Sequence, residues 1–442
     1  MSEKMSSFQD KLIKVGVGLN ENKYLGTIKD AFIALMPVTM IGSISVLWSN
    51  VIVNETTGIG AFFKPIMALS FINPMFNLIN FATIGCISLW IAYLVGSMLS
   101  EKEGLDQRFG GILGVIGYVS TLSITTTVST TTTVQGIFSS ATGTNGLFSA
   151  LIVSMVTIEI FKKLYNVKKL RIHLPEQVPP QISQSFAVMI PAFLDLLIIG
   201  VICLVLNLTT GLYLNDVIMT LIQKPLVHVG GSLPGMLLFQ IIILALWSIG
   251  LHGDNMLSAI VSPIVTAMTL ENMNNVSNGL PATNVFSTGF NRAFFATGGT
   301  GMVLGLTIAM LIRAKRPENR SIAKMSFIPN LFNIGEIDQF GFPIVMNPPL
   351  MIPFILAPLI CGTFGYIMTK VGFCPVFAYD IPWTMPPVLI AFIATGGSWR
   401  AIVTQIIAIG LSVLIYLPFI PAHERAQEIT QKQSEEQANQ TE

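Results

Sequence analysis

The sequence predicts an all-α polytopic membrane protein, with about ten transmembrane helices and two re-entrant hairpins. Three observations carry that reading. Of 442 residues, 52% are hydrophobic and 11% charged, with a mean hydropathy of +0.69; a soluble domain has about 25% charged residues, so this chain lacks the polar surface to face water. The apolar runs are long and continuous, not the short alternating segments of a barrel. Most of the charged side chains gather in five stretches, 1–30, 101–108, 159–176, 313–324 and 424–442, as loops between spans do. Asp195, Asp254, Arg292, Glu336, Asp338, Asp380 and Arg400 stand inside apolar surroundings. Ionisable groups there are costly and face a cavity or a partner.

The elements follow in order. Residues 8–30 mix Lys11, Lys14, Lys23 and Lys29 with Phe8, Leu12 and Ile13, as an interfacial amphipathic segment does. A first membrane helix is expected over 31–53 and a second over 74–99. The uncharged span 109–158 holds two more, joined by a polar loop around the threonine-rich 125–146. Lys162, Lys163, Lys168, Lys169 and Arg171, followed by Pro175, Pro179 and Pro180, form the strongest cytoplasmic signal in the chain. They mark a boundary between an N-terminal half, 1–175, and a C-terminal half, 176–423. A fifth helix covers 186–208, a connecting helix 212–230 and a sixth span 233–251. The apolar stretch 255–270 is short for a span and reads as a re-entrant arm. A helix at 293–312, a second hairpin at 327–349, helices at 350–369, 385–398 and 401–420, and a solvated polar tail, 424–442, complete the chain. Cys86, Cys203, Cys361 and Cys374 are scattered and show neither a metal spacing nor a disulfide framework.

Two breaks carry the right chemistry for a site. The first is Ile249-Gly250-Leu251-His252-Gly253-Asp254-Asn255, and the second is Asn333-Ile334-Gly335-Glu336. Interrupted apolar segments of this kind form the binding sites of transporters. A sugar presents many hydroxyls that each donate and accept, and is matched by carboxylates, a His and Asn amides, with an aromatic face against the ring. His252, Asp254, Asn255, Asn333, Glu336, Asn347 and Trp383 supply that mixture. Against this, a lone membrane His is as often a packing group, Trp247 reads as helix packing, and Arg292 and Asp195 as structural or interfacial charges.

On Trp247-Ser248-Ile249-Gly250-Leu251-His252-Gly253, Asn333-Ile334-Gly335-Glu336, Phe340-Gly341 with Pro343-Ile344-Val345-Met346-Asn347-Pro348, and Ile381-Pro382-Trp383-Thr384, the chain resembles a known family. These features are similar to those of the membrane-embedded IIC permeases of the phosphoenolpyruvate-dependent phosphotransferase system, in the lactose/cellobiose/diacetylchitobiose group. Ile337 stands where that family usually has Pro. The resemblance implies a carrier of a β-linked disaccharide, with His252 and Glu336 contacting the sugar as binding and candidate catalytic groups. It implies phosphorylation of the sugar 6-hydroxyl by a phosphocysteine on a separate cytoplasmic IIB protein, itself served by IIA. It also implies a homodimer joined through the N-terminal half, in the lipid of a bacterial plasma (inner) membrane, with both termini cytoplasmic and neither cofactor, metal nor nucleic acid. The competing class is an ion-coupled sugar symporter using Glu336, Asp338 or His252 as its proton site. No P-loop favours an ATP-driven pump, and no pore-lining repeat favours a channel.

Overall fold

The first span begins where the Asn22 side chain accepts the backbone N–H groups of Tyr24 and Leu25, which satisfies donors that the first helical turn leaves unpaired. The computed structural model of the chain describes residues 22–441 except 56–58, 130, 131, 138, 176, 343 and 346. The interfacial segment expected from residue 8 therefore lies mostly outside the described residues. From its cap, α1 (Lys23–Ile52) runs on, its last five residues wound as a π-helix. It is followed by α2 (Lys64–Gly85), α3 (Ile87–Lys102), α4 (Gln107–Val119), a hairpin of β1 (Thr125–Ser129) and β2 (Thr132–Gln135), α5 (Leu147–Tyr165) and α6 (Pro180–Thr210). The second part holds α7 (Leu214–Gly230), α8 (Leu233–Ser248), α9 (Gly253–Ser277), α10 (Thr288–Phe294), α11 (Val303–Arg313) and α12 (Pro317–Leu331). It closes with α13 (Glu336–Gly341), α14 (Pro348–Lys370), α15 (Leu389–Ala394), α16 (Trp399–Tyr416) and α17 (Ile420–Thr441).

Among the described residues the regular structure is all-helical apart from that one hairpin. Among the described residues six helices are individually long and apolar enough to cross a membrane, or seven if α7 and α8, bent by 77° at their junction, count as one. In lipid, apolar area alone does not hold helices together, so close contact does. Gly96 of α3 faces Gly110 and Gly114 of α4, and a Cβ on Gly96 would meet the Gly110 carbonyl oxygen at 2.4 Å. A continuous core runs from α1, α3 and α5 through α9 and α10 to α14 and α16. A second core joins α8, α11, α14 and the start of α17.

Several boundaries differ from those expected. The second helix breaks at Cys86, after a π-helical turn at Phe81–Gly85. The arm expected at 255–270 is part of the 25-residue α9, whose polar last turns extend the apolar run. The helix expected over 293–312 is interrupted at 295–302, because Gly298, Gly299 and Gly301 all adopt positive φ. Of 385–398 only α15 is helical. The polar threonine stretch is a paired hairpin, Thr125 opposite Gln135. α6, assigned to the C-terminal half, buries Val188 and Ala192 against Leu99, Leu113, Ile158 and Phe161 of the N-terminal helices. The tail is not wholly solvated, since His423 and Glu424 are buried. Glu424 accepts the backbone N–H groups of Lys315 and Arg316 at 2.9 Å each, capping α12 from a distance in sequence.

At one membrane face the start of α1 meets the ends of α3 and α5. Lys23 and Lys162 both donate to Glu103, Lys23 also reaches Glu159, and Lys102 pairs with Asp30 at 2.8 Å. These two donors, Lys162 first and then Lys23, hold the Glu103 carboxyl below the usual carboxylate range. A carboxylate depressed in this way stabilises the fold above its unfolded pKa, and the contribution is lost as pH falls through the folded value. Glu103→Gln should therefore cost about 1 kcal/mol at neutral pH, the scale of an accessible ion-pair network. The gap to the unaltered protein should close in acid. Thermal unfolding in detergent at neutral and acid pH checks it, and a deficit independent of pH would show that charge is not what Glu103 contributes.

Candidate functional site

The turn between α8 and α9 is built around His252. Its Nδ1 accepts the Asn255 N–H at 3.3 Å, so the imidazole serves as the N-cap of α9. Its ring lies against the Trp247 indole, centroids 4.4 Å apart. With Nδ1 accepting the cap bond, Nε2 is the ring nitrogen assigned the N–H. Among the described residues nothing bonds Nε2, and the side chain is exposed. His252 therefore presents an N–H donor. Gly253 is required here, because a Cβ would lie 2.1 Å from the Ile243 carbonyl oxygen of α8. Asn255 is exposed beside it.

Asp254 does something different. Its Oδ2 accepts from Trp247 Nε1 at 2.9 Å and from the Thr300 hydroxyl. It thus ties the His252 turn to the glycine loop 298–301 that splits α10 from α11. Arg292 on α10 feels both Asp254 and Asp380 electrostatically, with neither close enough to pair among the described residues. Asp380 in turn accepts from Thr39 of α1 at 2.8 Å.

The same glycine loop carries the Glu336 turn. Gly298 donates its N–H to Asn333 Oδ1 at 2.8 Å. Asn333 donates both amide hydrogens, to the carbonyls of Trp383 at 2.8 Å and Met385 at 2.9 Å. Its backbone is left-handed, φ 60°, a conformation Asn tolerates better than most residues. Gly335 packs so tightly on the loop that a Cβ would lie 2.6 Å from Val303 Cγ2. Gln339 Nε2 reaches the Thr300 carbonyl at 3.3 Å. At the tip of this clasp Glu336 opens α13 with its carboxylate exposed. Its carboxylate makes no hydrogen bond among the described residues. An exposed acceptor and an exposed donor thus project from two turns fastened to one loop.

The other expected residues divide. Trp383 is 41% exposed beside Asn333 and offers a ring face. Asn333 departs from the role expected of it, since both its N–H groups and its oxygen are used within the protein. Asn347 pairs with His423 at 2.9 Å, near the capped start of α12 rather than on the glycine loop. Asp338 is fully buried, accepting from Thr307 and Asn330 between α11 and α12, which makes it a structural joint. The loop Gly298-Gly299-Thr300-Gly301 is the part that sequence reading missed. Its signal was present as three glycines in four residues within an apolar run, a pattern that breaks helices.

Comparison with known proteins bears on this arrangement. Residues 29–358 match the family model described as "Phosphotransferase system, EIIC". The chain is 29% identical to the oligo-beta-mannoside-specific EIIC component of Bacillus subtilis, over 96% of this chain and 94% of that one. It is 30% identical to the lichenan permease IIC component of the same organism, over 93% of this chain and 91% of that one. The crystal structure of ChbC, the IIC component from the N,N'-diacetylchitobiose-specific phosphotransferase system, superposes with a TM-score of 0.88. It is 28% identical, over 95% of this chain and 98% of that one. Breaks, glycine loop and membrane helices thus lie within a chain that belongs to the phosphotransferase system EIIC family.

Proposed function

We propose that this chain is the sugar-translocating subunit for a β-linked disaccharide of the cellobiose, lactose or diacetylchitobiose type, moved inward for phosphorylation. The observation that carries the reading is the pairing of exposed His252 and Glu336 on turns clasped to the 298–301 loop. His252 Nε2 donates to one hydroxyl while Glu336 accepts from others, and Trp383 covers an apolar ring face. The pair orients the ring without covalent chemistry of its own. In the transfer itself the sugar 6-oxygen forms a bond to phosphorus as the S–P bond of a IIB phosphocysteine breaks, and the cysteine leaves as a thiolate that takes up the hydroxyl proton. None of the four cysteines of this chain is exposed, Cys361 and Cys374 being buried and Cys86 and Cys203 half-buried, which supports a donor on a separate protein. β-Linkage is supported by relatives named for oligo-beta-mannoside and diacetylchitobiose. A homodimer and cytoplasmic termini are part of the proposal. Asp338, one proton site of the competing symporter reading, is closed in by Thr307 and Asn330, which favours the phosphotransferase reading.

Glu336→Gln keeps the shape of the side chain and removes its charge. Charge-assisted hydrogen bonds contribute about 1.5–3 kcal/mol each, so affinity for the transported disaccharide should fall by about tenfold or more. Equilibrium binding to the purified, folded variant measures this, and unchanged affinity removes Glu336 from the site.

The energy source gives a second expectation. Vesicles supplied with phosphoenolpyruvate and the soluble carriers should accumulate phosphorylated disaccharide, and a protonophore should leave the initial rate unchanged. Free sugar inside, lost on adding the protonophore, would replace this proposal with ion-coupled symport.

A further inference from the structure

The ends of α1 (Lys23–Ile52) and α9 (Gly253–Ser277) that lie away from the basic cluster enclose a cavity of about 630 Å³. Its volume falls within the range of small-molecule sites, about 300–1,000 Å³. None of His252, Asp254, Glu336 or Trp383 lines it. Its walls come from α1, α2, α9 and the segment before α5. They carry Asn73, Asn77, Asn80, Asn145, Asn274 and Asn278, together with serine and threonine hydroxyls. Among the described lining residues no side chain is ionisable.

Two features of the walls point to a ligand. Ser49 Oγ and the Asn80 amide oxygen are buried without a hydrogen-bond partner among the described residues. Buried polar atoms are ordinarily satisfied, so these two await a partner that enters the cavity. Both walls also leave the α-helical ladder here, with π-helical turns at Trp48–Ile52 and Phe81–Gly85. Such turns recur at functional sites.

The position follows from helix directions. α1 starts at Lys23 in the basic cluster and ends at the cavity, whereas α3 (Ile87–Lys102) starts beside the cavity and ends in the cluster. α9 runs parallel to α1, with Met273 near its end contacting Ser43. Twenty-five helical residues extend about 37 Å, so His252 lies toward the basic face and Asn274–Asn278 at the opposite one. Basic loops stay cytoplasmic, which puts the cavity on the outer face.

We propose that this cavity is an outer vestibule that binds the free, uncharged disaccharide before it reaches the His252/Glu336 turns. The proposal rests on the transport function given above. Neutral amides and hydroxyls each donate and accept, as sugar hydroxyls do. They offer no countercharge to a phosphate, so the vestibule admits sugar and rejects phosphosugar.

The test uses the full chain in right-side-out vesicles, with Cys86→Ala to silence the thiol nearest the cavity. Asn274→Cys puts a reactive thiol at an exposed lining position. A membrane-impermeant methanethiosulfonate added outside should label it. Cellobiose, lactose or diacetylchitobiose, whichever the unaltered protein transports, should slow labelling by about tenfold at saturation, and its 6-phosphate should not. Slowing should persist when Glu336→Gln is added, which separates the vestibule from the inner site. Labelling from inside only, no labelling, or labelling that sugar does not slow would each overturn the proposal. The internal product, read in the same vesicles, judges the transport function separately. As a second measurement, Asn80→Leu should raise the KM for uptake by about tenfold with the maximal rate kept. An unchanged KM in correctly inserted protein would place the cavity off the sugar's path.

Discussion

The Asn333 amide is the joint on which the C-terminal part of the structure depends. Backbone that leaves the helix at membrane depth must have its polar groups satisfied from within the protein. Here three irregular segments, 298–301, 333–335 and 383–385, meet at one side chain, which accepts from Gly298 and donates to the carbonyls of Trp383 and Met385. A side chain with two donors and an acceptor in one plane is what that junction needs. Gln would place the plane one methylene away, and Asp would turn both donors into acceptors. The glycines are the other half of the constraint. A Cβ on Gly335 would strike Val303, and one on Gly301 would lie 2.1 Å from the Phe354 ring. The chain breaks can approach closely only because side chains are missing there, and they stay close because Asn333 holds them.

Two further joints extend the same logic. Asp254 links the His252 turn to Thr300, and Asp338 links α11 to α12 through Thr307 and Asn330. Both carboxylates looked, in sequence, like Glu336: acids stranded among apolar residues. Only the structure separates them. Asp254 and Asp338 are met by donors of the fold, whereas Glu336 points outward from the tip of a turn. Burial cost explains why intramembrane acids are rare, but it does not say whether their partner is protein or ligand.

That ambiguity marks the limit of what could be read from residues. The all-helical membrane class was legible because hydropathy and charge placement report directly on lipid and water. The two turns bearing His252 and Glu336 were legible because glycine, histidine and carboxylate together have no place on a lipid-facing helix. The glycine loop between them was not, although its residues gave notice, because the apolar run around it satisfied the length of a span. α9 was misjudged for the converse reason. Its apolar part is short, but the helix continues through Glu271–Ser277, whose polarity is explained by solvent and by the cavity at that end. The role of Asn347 depended on its pairing with His423, which stands 76 residues further on, and no local pattern carries such a contact. The burial of Glu424 escaped notice likewise, since a charged tail residue reads as solvated until the N–H groups of Lys315 and Arg316 are seen to meet it.

The distribution of charge along the membrane normal ties these observations together. Arg292, Asp254 and Glu336 stand around the clasp, and a lysine cluster lies where α1 starts. The opposite end is lined with neutral amides and hydroxyls. A carrier that released the same neutral sugar it bound would gain nothing from that asymmetry. A carrier whose substrate acquires a phosphate only on the inner side does gain. In the proposed vestibule neutral groups would hold the sugar by hydrogen bonds that exchange readily with water, and they would offer nothing to the charged product. Within the proposed reading, transport is then made directional by chemistry on the sugar, and the fold contributes a cavity lined by amides and hydroxyls without a charged group among its described lining residues.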